Sequence, residues 1–248
     1  MKTALLLAGG LATRLGEISI SIPKACVKVN DLSPLAFLLP RLAQSGVTRA
    51  WINLHHHTEQ IQREAKRFCP PQLELRWLHE ETLLGTGGTL LEATQQNGSL
   101  PDVVLNAKMY TDFQWHKILT CTEPTLVLHS SSDLEIFGGF RYDEKQQITS
   151  LRKSGAPSQT HDVGVYTGIC RPSEKWLASI SEAPNDAPSC LIRHGLLKTL
   201  PDQPVRAMIH SGSWCEISTP KRVQIAEETL ASILATEKIP CPHLDASS

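Results

Sequence analysis

Charge of one sign is missing from this chain. Its 24 lysine and arginine residues nearly match 25 aspartates and glutamates, leaving a formal net charge of -1. No global field therefore draws it to nucleic acid or to an anionic membrane surface, although a local phosphate site is untouched by that argument. Long apolar runs are also missing. No segment approaches the roughly 20 residues needed to cross a bilayer. Lys2 is followed only by a short apolar run ending in glycines, the pattern of a strand and not of a secretory signal. C-x-x-C pairs are absent, and the cysteines at 26, 69, 121, 170, 190, 215 and 241 are scattered and odd in number. Reduced thiols in a cytoplasmic protein are expected. Neither an internal repeat, a low-complexity stretch nor a linker divides the 248 residues. One domain over 1–239 with a short disordered tail over 240–248 is expected.

The first thirty residues carry the strongest signal. Ala4-Leu5-Leu6-Leu7-Ala8 is short and apolar on both faces, which predicts a buried strand. Gly9 and Gly10 end it and let the backbone approach a ligand with no Cβ in the way. Arg14 and Lys24 then bring two cations near the turn. Backbone N–H groups and two cations suit a polyphosphate.

Leu7-Ala8-Gly9-Gly10-Leu11-Ala12-Thr13-Arg14-Leu15 with Pro23-Lys24 downstream resembles the signature of the sugar-1-phosphate nucleotidyltransferases, the nucleotide-sugar pyrophosphorylases. Their usual form is L-A-[AG]-G-x-G-T-R-L followed by P-K, and Ala12 departs from it by one methyl. Glu80 to Gly88, with Leu84-Gly85-Thr86-Gly87 inside it, resembles their second motif, which lies against nucleobase and sugar. Asn106-Ala107-Lys108 falls where the family has N-G-D, whose aspartate holds Mg²⁺. Arg152-Lys153 falls where it has E-K, and Asp162 to Ile169, including Gly168, resembles the strand that follows. Trp214-Cys215-Glu216-Ile217-Ser218-Thr219-Pro220 resembles the closing W-x-D-[IV]-G-T-P, with Glu216 for the second metal-binding aspartate. The likeness spans about residues 1–235 and is closest to the short bacterial type, such as the mannose-, heptose- or N-acetylmuramate-1-phosphate nucleotidyltransferases.

The element pattern agrees. Ser33-Pro34 is a helix start with proline in the first turn, and Gly46 a stop. Strands are expected at 47–54, 73–78, about 101–112, 125–129 and 205–209, and helices at 58–68, about 88–95, 173–180, 190–200 and from Thr219-Pro220 to 235. A hairpin is expected from 137–142 and 147–152. The β-α-β-α-β order predicts an α/β fold, a mostly parallel mixed sheet with helices on both faces. The resemblance adds a three-layer, Rossmann-like, GT-A-like architecture with a small hairpin subregion. His55-His56-His57 is read as a polar loop opening a helix, not a metal site.

The resemblance implies transfer of a nucleotidyl group from a nucleoside triphosphate to a sugar-1-phosphate, with pyrophosphate released and Mg²⁺ as cofactor. By it Arg14 holds the β- and γ-phosphates, and Lys24 holds the α-phosphate and braces the nucleophile. Leu7, Ala8, Gly9, Gly10, Thr13, Gly85, Thr86, Gly87 and Asn106 bind the nucleotide. Lys153, Arg152 and Gly168 hold the sugar phosphate, with Arg152 suited to an anionic acceptor. Glu216, or Asp112 reaching in, is the metal ligand. Lys108 is open to four readings: an ammonium in the metal's place, a bystander to Asp112, the mark of a catalytically impaired nucleotide- or sugar-phosphate-binding protein, or a side chain that simply points to solvent. An unrelated dinucleotide-binding protein is disfavoured, because Ala12 sits where G-x-G-x-x-G needs its second glycine. No nucleic-acid or membrane partner is expected, and homo-oligomerisation is left open.

Overall fold

The computed structural model describes residues 1–10, 21–130, 134–155, 162–183 and 188–237. Strand β1 (Lys2–Leu7) leads through a short turn at Lys24–Cys26 to helix α1 (Pro34–Gln44). The buried Ser33 hydroxyl accepts the Ala36 N–H at 3.1 Å, so α1 is capped as its sequence predicts. Strand β2 (Val47–Leu54), helix α2 (Thr58–Phe68) and strand β3 (Glu74–His79) complete the expected alternation. His57 takes the left-handed conformation in front of α2, consistent with a loop that opens a helix.

Helix α3 spans Gly85–Asn97, three residues earlier than its sequence suggests. The glycines at 85, 87 and 88 depress helix propensity, but the segment is anchored by tertiary bonds. The Gly87 N–H donates to the Ser189 carbonyl at 2.9 Å, and the Ser189 N–H donates to Leu84 at the same distance. Strand β4 is only Val103–Asn106, and Met109–Thr111 is a separate strand, β5. The division falls at Lys108. The Ala107 N–H still donates to Leu7 in the main sheet at 3.1 Å, while the Lys108 carbonyl already accepts Ile217 N–H at 2.8 Å. The chain thus leaves one sheet for another over two residues.

Strand β6 is Thr125–His129, and β7 (Gly139–Tyr142) pairs antiparallel with β8 (Ile148–Arg152) as the anticipated hairpin. Strand β9 (Val163–Arg171) takes up all but the first residue of the Asp162 to Ile169 motif in one run. Helix α4 (Glu174–Ser181), capped by Ser173, is followed by a π-type turn at Leu191–Leu196 within the expected helix. Strand β10 (Arg206–His210), β11 (Trp214–Glu216) and helix α5 (Pro220–Glu237) close the described chain. The expected tail lies outside the described residues.

The main sheet runs β10-β6-β9-β4-β1-β2-β3, with β7 and β8 attached beside β9. Strands β1 to β4 are mutually parallel where they pair, β9 is antiparallel to β4 and β6, and β5 with β11 forms a separate antiparallel ribbon. Alternate residues of β1 divide the core. Ala4 and Leu6 pack with Leu35, Leu38, Ile61 and Leu230 of α1, α2 and α5. Leu5 packs on the other face with Leu90, Trp176 and Leu191. Helices therefore cover both faces, and the parallel strands' carboxyl ends are left to form a crevice. No helix among the described residues is long and apolar enough to cross a membrane.

Asp102 fixes the amino end of β1. Its carboxylate accepts the Thr3 N–H at 2.8 Å and Lys2 Nζ at 3.0 Å, with Arg171 at 3.5 Å. Burial alone would raise this carboxyl, but the Thr3 N–H and the two cations hold it below the ordinary carboxylate range. A lowered folded value contributes stability present above about pH 4, the unfolded value, and lost as pH falls through the folded value. Asp102→Asn should therefore flatten the acid limb of a stability–pH curve measured by urea denaturation. In the core, Leu38→Ala should cost about 2–5 kcal/mol and Ser33→Ala about 1 kcal/mol in the same assay.

Candidate active site

A cleft of about 200 Å³ opens at the carboxyl ends of β1, β2 and β4. Its walls come from four stretches widely separated in sequence: Leu7 to Gly10, Lys24-Ala25, Leu83 to Thr89 in part, and Asn106 to Lys108. Asn53 and Glu80 fill its floor. Register explains the convergence, because Leu7 pairs with Asn106 and Leu6 with Ile52, so the glycine turn, Asn53 and Asn106 leave the sheet at one level.

Asn53 organises the floor. Its Oδ1 accepts the N–H of Ala8 at 2.7 Å and of Gly9 at 3.0 Å, and its Nδ2 donates to Glu80 Oε1 at 3.0 Å. The same Glu80 oxygen accepts the Thr89 hydroxyl at 2.6 Å. Asn53 and Glu80 are buried, at 6% and 7% exposure, so these bonds are shielded from water. One amide thus ties the turn after β1 to the turn after β3 and to the first turns of α3. A Cβ on Gly9 would stand 2.8 Å from Asn53 Nδ2, too close to keep this geometry. That contact is a local reason for glycine there, apart from any ligand.

Seven of the expected nucleotide contacts, Leu7, Ala8, Gly9, Gly10, Gly85, Thr86 and Asn106, line the cleft. Thr86 also accepts the Leu191 N–H through its hydroxyl at 3.0 Å. Gly87 does not line the cleft. It faces Ser189 and Cys190, where a Cβ would be crowded, so its glycine serves packing against that segment. Gly168, expected at the sugar phosphate, also lies behind the cleft wall. It adopts φ +86° with a virtual Cβ only 2.3 Å from Asn106 Nδ2, and so backs the Asn106 amide. Thr13 and Arg14 lie outside the described residues.

The expected sugar-phosphate pair divides. Lys153 is exposed just beyond β8 and is not among the lining residues. Arg152 is only 3% exposed, and its Nη1 donates to the Leu134 carbonyl at 2.8 Å. In β8, successive side chains take opposite faces. Arg152 therefore points inward toward Leu134.

The two expected metal ligands are both engaged by other side chains or backbone. Asp112 does not reach in as a ligand: its Oδ1 accepts the Ser213 N–H at 2.8 Å and pairs with His210 Nε2 at 3.0 Å, beyond the far end of β5. Burial depresses His210 most, against the raising influence of Ser213 and Asp112, so it is held below the usual imidazole value. Glu216 is occupied by Lys108, whose Nζ lies 3.2 Å from Glu216 Oε2. The pair is mostly enclosed, at 23% and 11% side-chain exposure. Lys108 lines the cleft and Glu216 does not, so a dication in the cleft meets the ammonium before the carboxylate behind it. The pair thus offers it no net attraction, while Mg²⁺ sheds its water reluctantly and wants oxygen ligands. No group of three or more His, Cys, Asp or Glu placed to hold a metal occurs among the described residues. The described residues at the cleft do not fit a resident Mg²⁺.

Asn53 was not among the sequence candidates. The available signal was a lone polar residue in the apolar closing stretch of a strand, Ala50-Trp51-Ile52-Asn53-Leu54. Thr89 lay one residue beyond the recognised motif and carried no signal of its own.

Comparison with known proteins points the same way as the geometry. A family model described as nucleotidyl transferase matches residues 3–152. The mannose-1-phosphate guanylyltransferase catalytic subunit beta of Drosophila melanogaster is 26% identical over 226 residues, 88% of this chain and 60% of that protein. The D-glycero-alpha-D-manno-heptose 1-phosphate guanylyltransferase of Campylobacter jejuni subsp. jejuni is 28% identical over 152 residues, 60% of this chain and 67% of that protein. Among solved structures, HddC from Yersinia pseudotuberculosis complexed with GMP-PN aligns with a TM-score of 0.73 at 22% identity, covering 93% of this chain and 100% of that one. That likeness is one of fold. The chain spans about three fifths of the length of the Drosophila relative.

Asn53→Ala should remove three buried hydrogen bonds and leave Glu80 short of a donor. It should lower the free energy of unfolding by about 2–4 kcal/mol, measured by urea denaturation at neutral pH.

Proposed function

This chain belongs to the nucleotidyl transferase family, and from that we propose that it transfers a nucleotidyl group from a nucleoside triphosphate to a sugar-1-phosphate, forming an NDP-sugar and pyrophosphate. The observation that carries the reading is the convergence of the glycine turn, Lys24, Gly85-Thr86, Asn106 and Lys108 on one cleft at the strands' carboxyl ends. Two relatives are named as guanylyltransferases acting on mannose-1-phosphate and on a heptose 1-phosphate. GTP is therefore the first donor to test, with hexose and heptose 1-phosphates as acceptors.

In this reading a phosphate oxygen of the sugar-1-phosphate attacks the α-phosphorus. The new O–P bond forms as the bond to the β-phosphate oxygen breaks, and pyrophosphate departs with the electron pair. Such a displacement asks the protein for positioning and for neutralised charge. Gly9 and Gly10 leave the backbone open to the phosphates. Lys24 contributes a cation at the α-phosphate, and Arg14 one at the leaving group. Gly85-Thr86 offers backbone to the base and ribose, and the Asn106 amide, backed by Gly168, offers a donor and an acceptor. Lys153 is the candidate for the sugar phosphate from outside the described cleft. The protein is assigned to the cytoplasm on the same basis, as a soluble enzyme using diffusible substrates.

A second reading is favoured by the Lys108–Glu216 pair: a protein that binds nucleotide and sugar phosphate without turnover. Pyrophosphate release separates the two. Incubation with GTP and mannose- or heptose-1-phosphate should release pyrophosphate, and Lys24→Ala should lower kcat/KM by about 10²-fold or more. No release with any of the four common triphosphates and a panel of sugar-1-phosphates, while nucleotide binding persists, would leave the binding protein.

A further inference from the structure

We propose that the cleft takes its nucleoside triphosphate without a resident divalent cation, the Lys108 ammonium seated on Glu216 standing where positive charge is needed. The inference rests on the nucleotidyl-transfer reading and concerns how that site is charged. Lys108 lines the cleft directly. Its ammonium is held by Glu216 Oε2 at 3.2 Å in a largely enclosed position. Both partners have fixed backbones: the Lys108 carbonyl accepts the Ile217 N–H at 2.8 Å, and Met109 pairs with Glu216 across the β5–β11 ribbon. The pair is therefore set by the ladder and is not a chance surface contact.

Two other described acidic groups at or near this end of the sheet, Glu80 and Asp112, are committed elsewhere. Glu80 receives Asn53 Nδ2 and the Thr89 hydroxyl, and Asp112 receives Ser213 N–H and faces His210. Neither turns an oxygen toward Lys108 in place of Glu216. A triphosphate entering this cleft meets Lys24, Lys108 and the N–H of Gly10, the Ala8 and Gly9 N–H groups being taken by Asn53. Those are anion-binding groups, and none is a ligand for a hard dication. As phosphate approaches, Lys108 keeps Glu216 on one side and gains the anion on the other. Glu216 acts here as a positioning residue: it holds the ammonium at the cleft and does not itself touch substrate.

Isothermal titration with GTP, ATP, CTP and UTP in EDTA and then in excess Mg²⁺ tests this on the full chain. The preferred triphosphate should bind in EDTA within about threefold of its affinity in Mg²⁺. Lys108→Met, which keeps the length of the side chain and removes its charge, should lose at least tenfold in EDTA. Electron paramagnetic resonance with Mn²⁺ alone should find no tight site in the native chain and should find one in Lys108→Asp. A tenfold or greater gain on adding Mg²⁺ to the native protein, or unchanged affinity in Lys108→Met, would overturn the proposal and leave nucleotidyl transfer standing. Failure of all four triphosphates to bind in either buffer would remove the nucleotidyl-transfer reading and this inference with it.

Discussion

The side-chain amide of Asn53 is the joint on which the cleft depends. It sits at the carboxyl end of a buried strand and satisfies two backbone donors of the glycine turn, Ala8 and Gly9, with one oxygen. Its nitrogen then holds Glu80, which in turn holds Thr89 at the start of α3. Each of those polar groups is buried, and a buried polar group left unpaired costs more than a pair contributes. The network is therefore all-or-none in character. The turn that would receive phosphates and the turn that would receive the base are held at fixed separation by one residue that touches both.

The sheet supplies the rest of the geometry. Four parallel strands in register present their carboxyl ends together, and β9 running the other way places Gly168 behind Asn106. The chain then crosses from the main sheet into the β5–β11 ribbon at Lys108, which brings Glu216 from over a hundred residues away to within 3.2 Å of it. Charge at the cleft is consequently a property of topology. The ribbon delivers a neutral pair to a place where a carboxylate alone would have attracted a cation.

Much of this was legible in the sequence. The short apolar β1, Ser33-Pro34, and the helical spacing over 34–44 have local causes, and the structure follows them closely. Gly9, Gly10, Lys24, Gly85, Thr86, Asn106 and Lys108 line one cleft, as the motif order suggested. The expected site residues that do not line the cleft share a different cause. Gly87 and Gly168 are glycines for packing, and a one-letter code does not distinguish a glycine that meets a ligand from one that meets Ser189 or Asn106. Arg152 reads as a cation for an anionic acceptor, whereas the hairpin's pleat turns it inward to Leu134. Asp112 is near Lys108 in sequence, but β5 carries it to the opposite end of the ribbon and to His210. Asn53 escaped notice because its role is to hold other residues, which becomes visible only when β1, β2 and β3 are side by side.

The central claim is that phosphate and base are received at the joined turns above Asn53. Hydrogen–deuterium exchange measured by mass spectrometry, with and without saturating GTP, addresses it most directly. The account predicts slowed exchange at Ala8 to Gly10, at Leu84 to Thr89 and at Asn106 to Lys108, with little change along β10 and around His116 to Thr122. Protection confined to the β10 side, with those three segments unaltered, would contradict it.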